Sequence, residues 1–236
     1  MNLPLVSVII PSLNEEGYIK ETLENLRKQT YPNIEIVVSD GCSVDGTVKI
    51  AKKYADRVIV RKTNIAQARN LGVKNSKGGF LVFVDADTIL DRRWIELGVN
   101  VMERQKDVVC IGGRVLPRAE EVKYRILYKI GWDFLPRVFA KFNCPQFTGV
   151  ALMVRRKVFE EIGGFDESMC ATEDIDFIFR IRKKGRLVFR SDMVSFTSVR
   201  RLKRGGFFYW IIRWNMNWFY YLIFRKSSFD SYKLYR

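Results

Sequence analysis

Two kinds of segment alternate along the first 90 residues of the chain. Short apolar runs rich in β-branched residues, which predict strands, lie at residues 6–10, 34–38, 57–61 and 80–84. Between them, apolar residues recur every three or four positions, which predicts helices at residues 15–29, 45–54 and 65–75. Strands that alternate with helices in this way are typical of an α/β fold whose mostly parallel central sheet is flanked by helices.

The pattern is less regular after residue 90. It predicts helices at residues 94–105, 156–162 and 174–184 and strands at residues 108–111 and 149–154. Residues 119–142 are rich in aromatic, Lys and Arg residues. This stretch could be a core helix, line an acceptor groove or contact lipid.

The apolar run at residues 80–84 leads directly into Asp85 and Asp87. A run without polar alternation predicts a strand buried on both faces, and open α/β sheets bind ligands just beyond the ends of such strands. Two carboxylates there would repel each other unless a cation lay between them, and oxygen ligands suit Mg²⁺ or Mn²⁺ bridging to phosphates. Alternatively, Asp87 or Asp91 caps a helix that starts near Arg92.

Three further residues carry candidate chemistry. Asp40 follows the second strand, where a carboxylate could contact a base or ribose, or instead could stabilise its own turn. Arg69 could neutralise phosphate or form a surface salt bridge. Asp174 opens a predicted helix whose dipole would keep it ionised, as a general base or as a cap.

Composition narrows the function classes. The chain has 236 residues, enough for one substantial core, and no histidine, which excludes His-based triads and zinc-finger ligand sets. Cys42, Cys110, Cys144 and Cys170 form no C-x-x-C pair. Scattered cysteines and an N-terminus without a signal-peptide pattern predict a cytoplasmic location.

The net charge of +15 is concentrated in the C-terminal part, which includes a long aromatic segment at residues 206–224. Arg213 near its centre would cost about 2.5 to 3.5 kcal/mol in a membrane span. We therefore predict an amphipathic helix lying on an anionic membrane surface at the cytoplasmic face. The alternatives are that this segment packs on the rest of the protein, forms a homodimer interface or binds single-stranded nucleic acid. Of these, we do not expect a nucleic-acid partner.

Six ordered motifs resemble those of the family 2 glycosyltransferases, over roughly residues 6–189. They are Pro11-Ser12-Leu13-Asn14-Glu15, Asp40-Gly41-Cys42-Ser43-Val44-Asp45-Gly46-Thr47, Ala68-Arg69-Asn70-x-Gly72, Asp85-Ala86-Asp87, Gly163-Gly164-Phe165-Asp166-Glu167 and Glu173-Asp174. The resemblance implies a GT-A type fold that transfers a sugar from a UDP- or GDP-sugar with inversion. It divides the chain into a catalytic domain at 1–200 and a membrane-associating or dimerising segment at 201–236.

The resemblance also implies roles for individual residues. Those expected to bind the nucleotide sugar are Pro11, Asn14, Glu15, Asp40, Arg69 and Asp85. Asp87, with Asp85, would hold Mg²⁺ or Mn²⁺, and Asp174 matches the catalytic base. The predicted membrane-surface helix at residues 206–224 adds the expectation that the acceptor is a lipid or lipid-linked saccharide, in polysaccharide or glycolipid synthesis.

Two departures from the family pattern matter. Many relatives carry a histidine after the last core strand, where this chain has Ser195 to Arg201, so Arg200 and Arg201 could supply phosphate-binding charge instead. The Gln-x-x-Arg-Trp signature of processive members is absent, which favours addition of a single sugar. A sugar-nucleotide pyrophosphorylase is the rival enzyme class, but the loop after the first strand is acidic rather than Gly-rich.

Overall fold

A computed structural model describes residues 3–143, 149–169 and 171–226. Its strands form a single sheet in the order β3-β2-β1-β4-β7-β6-β8-β5. The strands are β1 Val6–Ser12, β2 Ile34–Asp40, β3 Arg57–Val60, β4 Phe80–Val84, β5 Thr88–Leu90, β6 Val108–Pro117, β7 Ala151–Arg155 and β8 Arg186–Thr197. The sequence pattern did not predict β5 or β8, and β6 extends beyond the predicted residues 108–111.

The sheet is mixed and mostly parallel, because only β5 and β7 run opposite to the other described strands. β1 to β4 are parallel, as predicted, and β6 runs parallel to β8. β7 is antiparallel to both β4 and β6, and β5 is antiparallel to β8. An apolar run carries no information about strand direction, because direction depends on the path of the connecting segments.

The helices flank both faces of the sheet and mostly start later or end earlier than predicted. They are α1 Ile19–Arg27, α2 Thr47–Tyr54, α3 Ile65–Lys74, α4 Trp94–Arg104, α5 Val122–Lys129, a π-helical turn at Ile130–Phe134, α6 Leu135–Ala140, α7 Arg156–Glu161, α8 Glu173–Ile181, α9 Arg200–Gly205 and α10 Phe207–Phe224. The predicted fold class, an α/β sheet flanked by helices with an aromatic C-terminal helix, is confirmed.

The side chains of β4 alternate between two apolar cores. Val82 and Val84 belong to the core under α1 and α4, whereas Leu81 and Phe83 belong to the core under α7 and α8. This division explains why the strand shows no polar alternation, since side chains on both of its faces are buried.

Close packing fixes α3 against the sheet. The helix begins with a reciprocal capping box between Asn64 and Gln67. A Cβ atom at Gly72 would lie 2.4 Å from Cγ2 of Ile9, so only glycine permits this approach to β1. α3 consequently brings Arg69 to the carboxyl end of the central strands.

A third apolar cluster joins α5, α9 and α10. Tyr124 and Tyr128 of α5 pack with Trp210 of α10, and the rings of Trp132 and Trp214 lie 5.4 Å apart. The inner face of residues 119–142 is therefore core, and α10 packs along one side against α5 and α9. The predicted boundary at residue 200 stays a prediction. Within the described ranges, no helix combines the length and hydropathy that a membrane crossing takes.

Candidate active site

Asp85 and Asp87 lie where β4 ends, as predicted. The Asp85 amide donates to the carbonyl of Val150 at 3.2 Å, and 29% of the Asp85 side chain is exposed. Asp87 is 13% exposed and lies 3.3 Å from Nη2 of Arg200. The proposed capping role of Asp87 is wrong, because α4 begins at Trp94; Asp91 instead accepts from the Arg93 amide at 3.1 Å.

The Asp87 carboxylate is held at an electrostatic cost. Its pKa is raised to about 6, chiefly because burial disfavours the charged form and secondly because Asp85 is nearby. The guanidinium of Arg200 opposes this rise. A second cation beside the two carboxylates would relieve the remaining repulsion.

A buried ion pair connects the loop after β1 to the start of α9. Nη2 of Arg200 lies 2.5 Å from Oε1 of Glu15, and its guanidinium carbon lies 4.4 Å from the centre of the Tyr18 ring. The Glu15 amide donates to Oγ1 of Thr47 at 2.7 Å, which ties the same loop to α2. Arg200 thus contacts both Glu15 and Asp87.

Asp40 is completely buried and stabilises its own turn. Its carboxylate accepts hydrogen bonds from the Ser12 hydroxyl at 2.8 Å, the Ser43 amide at 2.7 Å and the Ser43 hydroxyl at 2.6 Å. The turn alternative therefore describes its observed contacts, and direct contact with a base stays a prediction. Pro11 lies within β1, one residue before Ser12.

Asn14 joins the loops that follow β1 and β2. Its backbone adopts a left-handed conformation, φ 54°, which asparagine tolerates better than most residues. The Asn14 amide donates to the Ser43 hydroxyl at 2.8 Å, and its side-chain oxygen accepts from the Val44 amide at 2.9 Å. These bonds hold together the two loops at which nucleotide binding is predicted.

Arg69 is buried, not at the surface. Its guanidinium lies 2.7 Å from Oε1 of Glu173 and 3.2 Å from Oδ1 of Asp85, and it donates to the Gly149 carbonyl at 3.3 Å. Only 1% of the side chain is exposed, so the surface salt bridge alternative is wrong. The predicted phosphate-neutralising role of Arg69 stays a prediction.

Sequence reasoning missed the pairing of Arg69 with Glu173, although a signal existed. Arg69 lies three residues from Ala66 and from Gly72, on the buried face of α3. A charged residue on the apolar face of a helix requires a buried partner of opposite charge. The identity of that partner, 104 residues away, was not visible in the local pattern.

Asp174 lies in the first turn of α8, which begins at Glu173. Its Oδ2 accepts from the Gly149 amide at 3.0 Å, and its Oδ1 accepts from the Ile175 amide at 2.8 Å. Burial raises the pKa of the adjacent Glu173, Asp174 raises it further and Arg69 opposes the rise. Gly149 therefore touches both Arg69 and Asp174, which links the end of β4 to the start of α8.

Asp85 and Asp87, which follow β4, suit a divalent ion whose remaining ligands come from a bound substrate. The described residues contain no group of three or more His, Cys, Asp or Glu side chains arranged to hold a metal. Mg²⁺ commonly binds through one or two carboxylates and completes its shell with phosphates and water. Asp85 and the desolvated Asp87 provide that donor set, so the residues fit Mg²⁺ or Mn²⁺.

Comparison with known proteins identifies the family of this chain. The sequence model of the family described as "Glycosyl transferase family 2" matches residues 7–163. The chain belongs to this family. The match disfavours the pyrophosphorylase alternative and covers the motifs up to Gly163, but it does not reach Asp174.

Proteins named as glycosyltransferases are similar over most of this chain. An uncharacterised glycosyltransferase of Rickettsia felis is 33% identical over 193 residues, which are 75% of this chain and 31% of that protein. Glycosyltransferase AglE of Haloferax volcanii is 29% identical over 82% of this chain and 66% of that protein. The chain thus spans only about a third of the Rickettsia felis protein that it matches.

Solved structures of glycosyltransferases have the same fold. The mannosyltransferase PcManGT from Pyrobaculum calidifontis, in complex with GDP-Man and Mn²⁺, aligns with a TM-score of 0.72 and 23% identity over 97% of this chain and 66% of its own. S. aureus TarS in complex with UDP-GlcNAc aligns with a TM-score of 0.68 and 21% identity over 82% of this chain and 58% of its own. The GT-A type architecture is therefore confirmed.

Proposed function

We propose that this chain transfers a single sugar, with inversion, from a nucleotide-diphosphate sugar to an acceptor hydroxyl. The observation that carries the proposal is the joining of two acidic sites through Arg69 and Gly149: Asp85 directly follows β4, and Asp174 lies in the first turn of α8. The first site suits a diphosphate with its metal, and the second suits a base for the acceptor.

The donor would bind across the carboxyl ends of β1, β2 and β4. Asn14 and Glu15 line this edge, Pro11 and Asp40 hold its backbone shape, and Arg69 fixes Asp85. Asp85 would face the ribose or the metal-bound water, and Asp87 would hold the ion. A bound Mg²⁺ or Mn²⁺ would supply positive charge to stabilise the diphosphate leaving group.

Asp174 would take the proton from the acceptor hydroxyl. The Gly149 amide orients one carboxylate oxygen at 3.0 Å, and the first turn of α8 favours the ionised form. Inversion follows if the deprotonated hydroxyl attacks from the face opposite the departing diphosphate. The known complexes of PcManGT with GDP-Man and of TarS with UDP-GlcNAc support either a guanine or a uracil nucleotide.

We also propose a lipid or lipid-linked saccharide as the acceptor, at an anionic membrane surface. The outer face of α10 exposes Phe208, Ile212, Met216, Phe219 and Ile223, opposite its buried face. The outer face of α5 and the π-helical turn exposes Val122, Ile126, Ile130 and Phe134. Both apolar faces point away from the cluster that joins the two helices.

Charge favours a membrane over a second copy of the chain as the partner of this surface. Residues 199–226 contain seven Lys and Arg and no acidic residue. Anionic lipid attracts such a surface, whereas a symmetric dimer would bring equal positive charges together. The proposal puts the protein on the cytoplasmic face of the membrane.

The test is hydrolysis and transfer of UDP- and GDP-sugars by the purified chain with Mn²⁺ and anionic vesicles containing lipid-linked acceptors. We expect donor turnover that Asp87→Ala abolishes and that Asp85→Asn reduces less, since an amide still accepts hydrogen bonds. Undiminished Mn²⁺-dependent donor binding by Asp87→Ala would overturn the metal assignment, and no turnover of any donor would overturn the proposed activity.

A further inference from the structure

Arg200 occupies a position that joins three parts of the proposed donor site. It is the first residue of α9, three residues beyond Thr197, which pairs with Thr88 in the strand that follows Asp87. Its side chain is 10% exposed. The same nitrogen, Nη2, lies 2.5 Å from Glu15 and 3.3 Å from Asp87.

The guanidinium has more donor capacity than these contacts use. Arginine carries five N–H groups in a planar fork, and Nε of Arg200 is buried with no hydrogen-bond partner in the part of the chain that the structure describes. Oε2 of Glu15 is likewise buried without a partner there. Packing against the ring of Tyr18 fixes the plane of the fork.

A divalent ion at Asp87 would compete with Arg200 for the same carboxylate. An ion bound to Asp87 would bring a second positive charge close to Arg200, and the two charges repel each other. A diphosphate that arrives with the ion brings negative charge to the same place. The planar fork of arginine matches phosphate oxygens and can bind two of them at once.

We propose that Arg200 is a diphosphate-binding residue that neutralises Asp87 in the free protein and transfers its hydrogen bonds to the nucleoside diphosphate when Asp87 ligates Mn²⁺ or Mg²⁺. The inference rests on the proposed function and adds a ligand contact to it. Arg200 therefore competes with the metal for Asp87 before the donor binds, and assists the donor afterwards.

These two roles predict effects of opposite sign in one variant. Arg200→Gln removes a positive charge beside Asp87, so Mn²⁺ alone should bind to the ligand-free chain several-fold more tightly. The same variant should bind UDP or GDP in the presence of Mn²⁺ at least tenfold more weakly. Uridine and guanosine, which lack phosphate, should bind as they do to the unsubstituted chain.

The measurement is calorimetric titration of the full chain with MnCl₂ alone, and with UDP, GDP, uridine and guanosine in saturating Mn²⁺. Lys203→Gln is the matched control, because Lys203 is on the same helix but pairs with Glu121. It should change none of these affinities. Arg200→Lys keeps the charge without the fork, so it should leave Mn²⁺ affinity unchanged and weaken UDP or GDP by a smaller factor.

Four outcomes would overturn the inference. Equal UDP and GDP affinities in Arg200→Gln and the unsubstituted chain would mean that Arg200 does not contact the diphosphate. Equal losses for nucleosides and nucleotides would mean that it only maintains the pocket, as would weaker binding of Mn²⁺ alone. If the unsubstituted chain itself bound no nucleotide with Mn²⁺, the proposed function would fail and this inference with it.

Discussion

The hydroxyl of Tyr221 donates a 3.0 Å hydrogen bond to Oδ1 of Asp176, in the interior between α10 and α8. Nε of Arg180 donates to the other oxygen of Asp176 at 2.6 Å. Asp176 lies two residues after Asp174, so the C-terminal helix contacts the helix that carries the proposed base.

Replacing Tyr221 with phenylalanine should weaken this attachment. The substitution leaves one oxygen of Asp176 without its donor, and a buried hydrogen bond of this kind contributes on the order of 1 kcal/mol. We expect urea denaturation to show that loss in the free energy of unfolding. Tyr220→Phe, on the exposed side of α10, should stay within about 0.5 kcal/mol of the unsubstituted chain; equal stabilities of the two variants would contradict the contact.

Asp174→Asn should fold and bind donor but transfer little sugar. The amide oxygen still accepts from the Gly149 amide, so the free energy of unfolding should change by no more than about 1 kcal/mol. Loss of a positioned base typically lowers the rate by a factor of roughly 10² to 10⁴. Single-turnover transfer measured at saturating donor tests this. Normal transfer combined with a lower melting temperature would make Asp174 a structural residue and move the base elsewhere, to Glu173 or Asp176.

Asp87→Asn should stabilise the ligand-free protein above pH 6. The native pKa of Asp87, about 6, exceeds the unfolded value of about 3.9, so the native state binds more protons between these limits. The contribution of Asp87 to stability is therefore greatest below pH 4 and is lost as pH rises through 6. The Asp87→Asn variant has no carboxyl group to ionise there, so its stability does not fall in this way.

Urea denaturation at pH 4, 5, 6 and 7.5 tests whether the stability of the variant rises relative to the unsubstituted chain as pH increases. Relative to the unsubstituted chain, Asp87→Asn should gain about 1 to 3 kcal/mol between pH 4 and pH 7.5. Asp91→Asn serves as the control, because Asp91 is a nearby acid that follows β5. A variant that loses stability relative to the unsubstituted chain as pH rises would contradict the desolvated state of Asp87.

Arg69→Met should be among the most destabilising single substitutions in the chain. It leaves Glu173 and Asp85 without their shared cation, and breaking a buried ion pair in this way costs about 3 to 5 kcal/mol. Adding Glu173→Leu should recover part of the loss, since it removes one of the uncompensated charges. Thermal unfolding of the single and double variants decides this, and a double variant less stable than Arg69→Met alone would contradict the pairing.

The exposed apolar face of α10 should determine membrane binding. Phe219→Glu with Ile223→Glu places two negative charges on this face without touching the buried Tyr221, and should abolish co-sedimentation with anionic vesicles. Val44→Glu with Val60→Glu provides a matched control. Both valines are exposed, and they lie in the segment from β2 to β3, far from α10 in the sequence. Equal sedimentation of both variants would contradict the membrane proposal. Binding by the control should weaken as salt increases.

Much of this architecture is encoded in local sequence patterns. The apolar runs predict β1 to β4, because a strand covered on both faces must be apolar throughout, and the residues after Val84 predict acids at a ligand-binding edge. The aromatic content of residues 206–224 predicts the helix observed at Phe207–Phe224, since its few polar residues do not interrupt the helical spacing.

Contacts between distant residues were decided only by the tertiary structure. Arg200 lies 185 residues from Glu15, and Arg69 lies 104 residues from Glu173, yet each pair is buried together. The tertiary structure also decided the direction of β7 and which side of α10 is packed and which is exposed. Periodicity along a chain specifies which face of an element is apolar, but the partner of that face depends on how all the elements pack together.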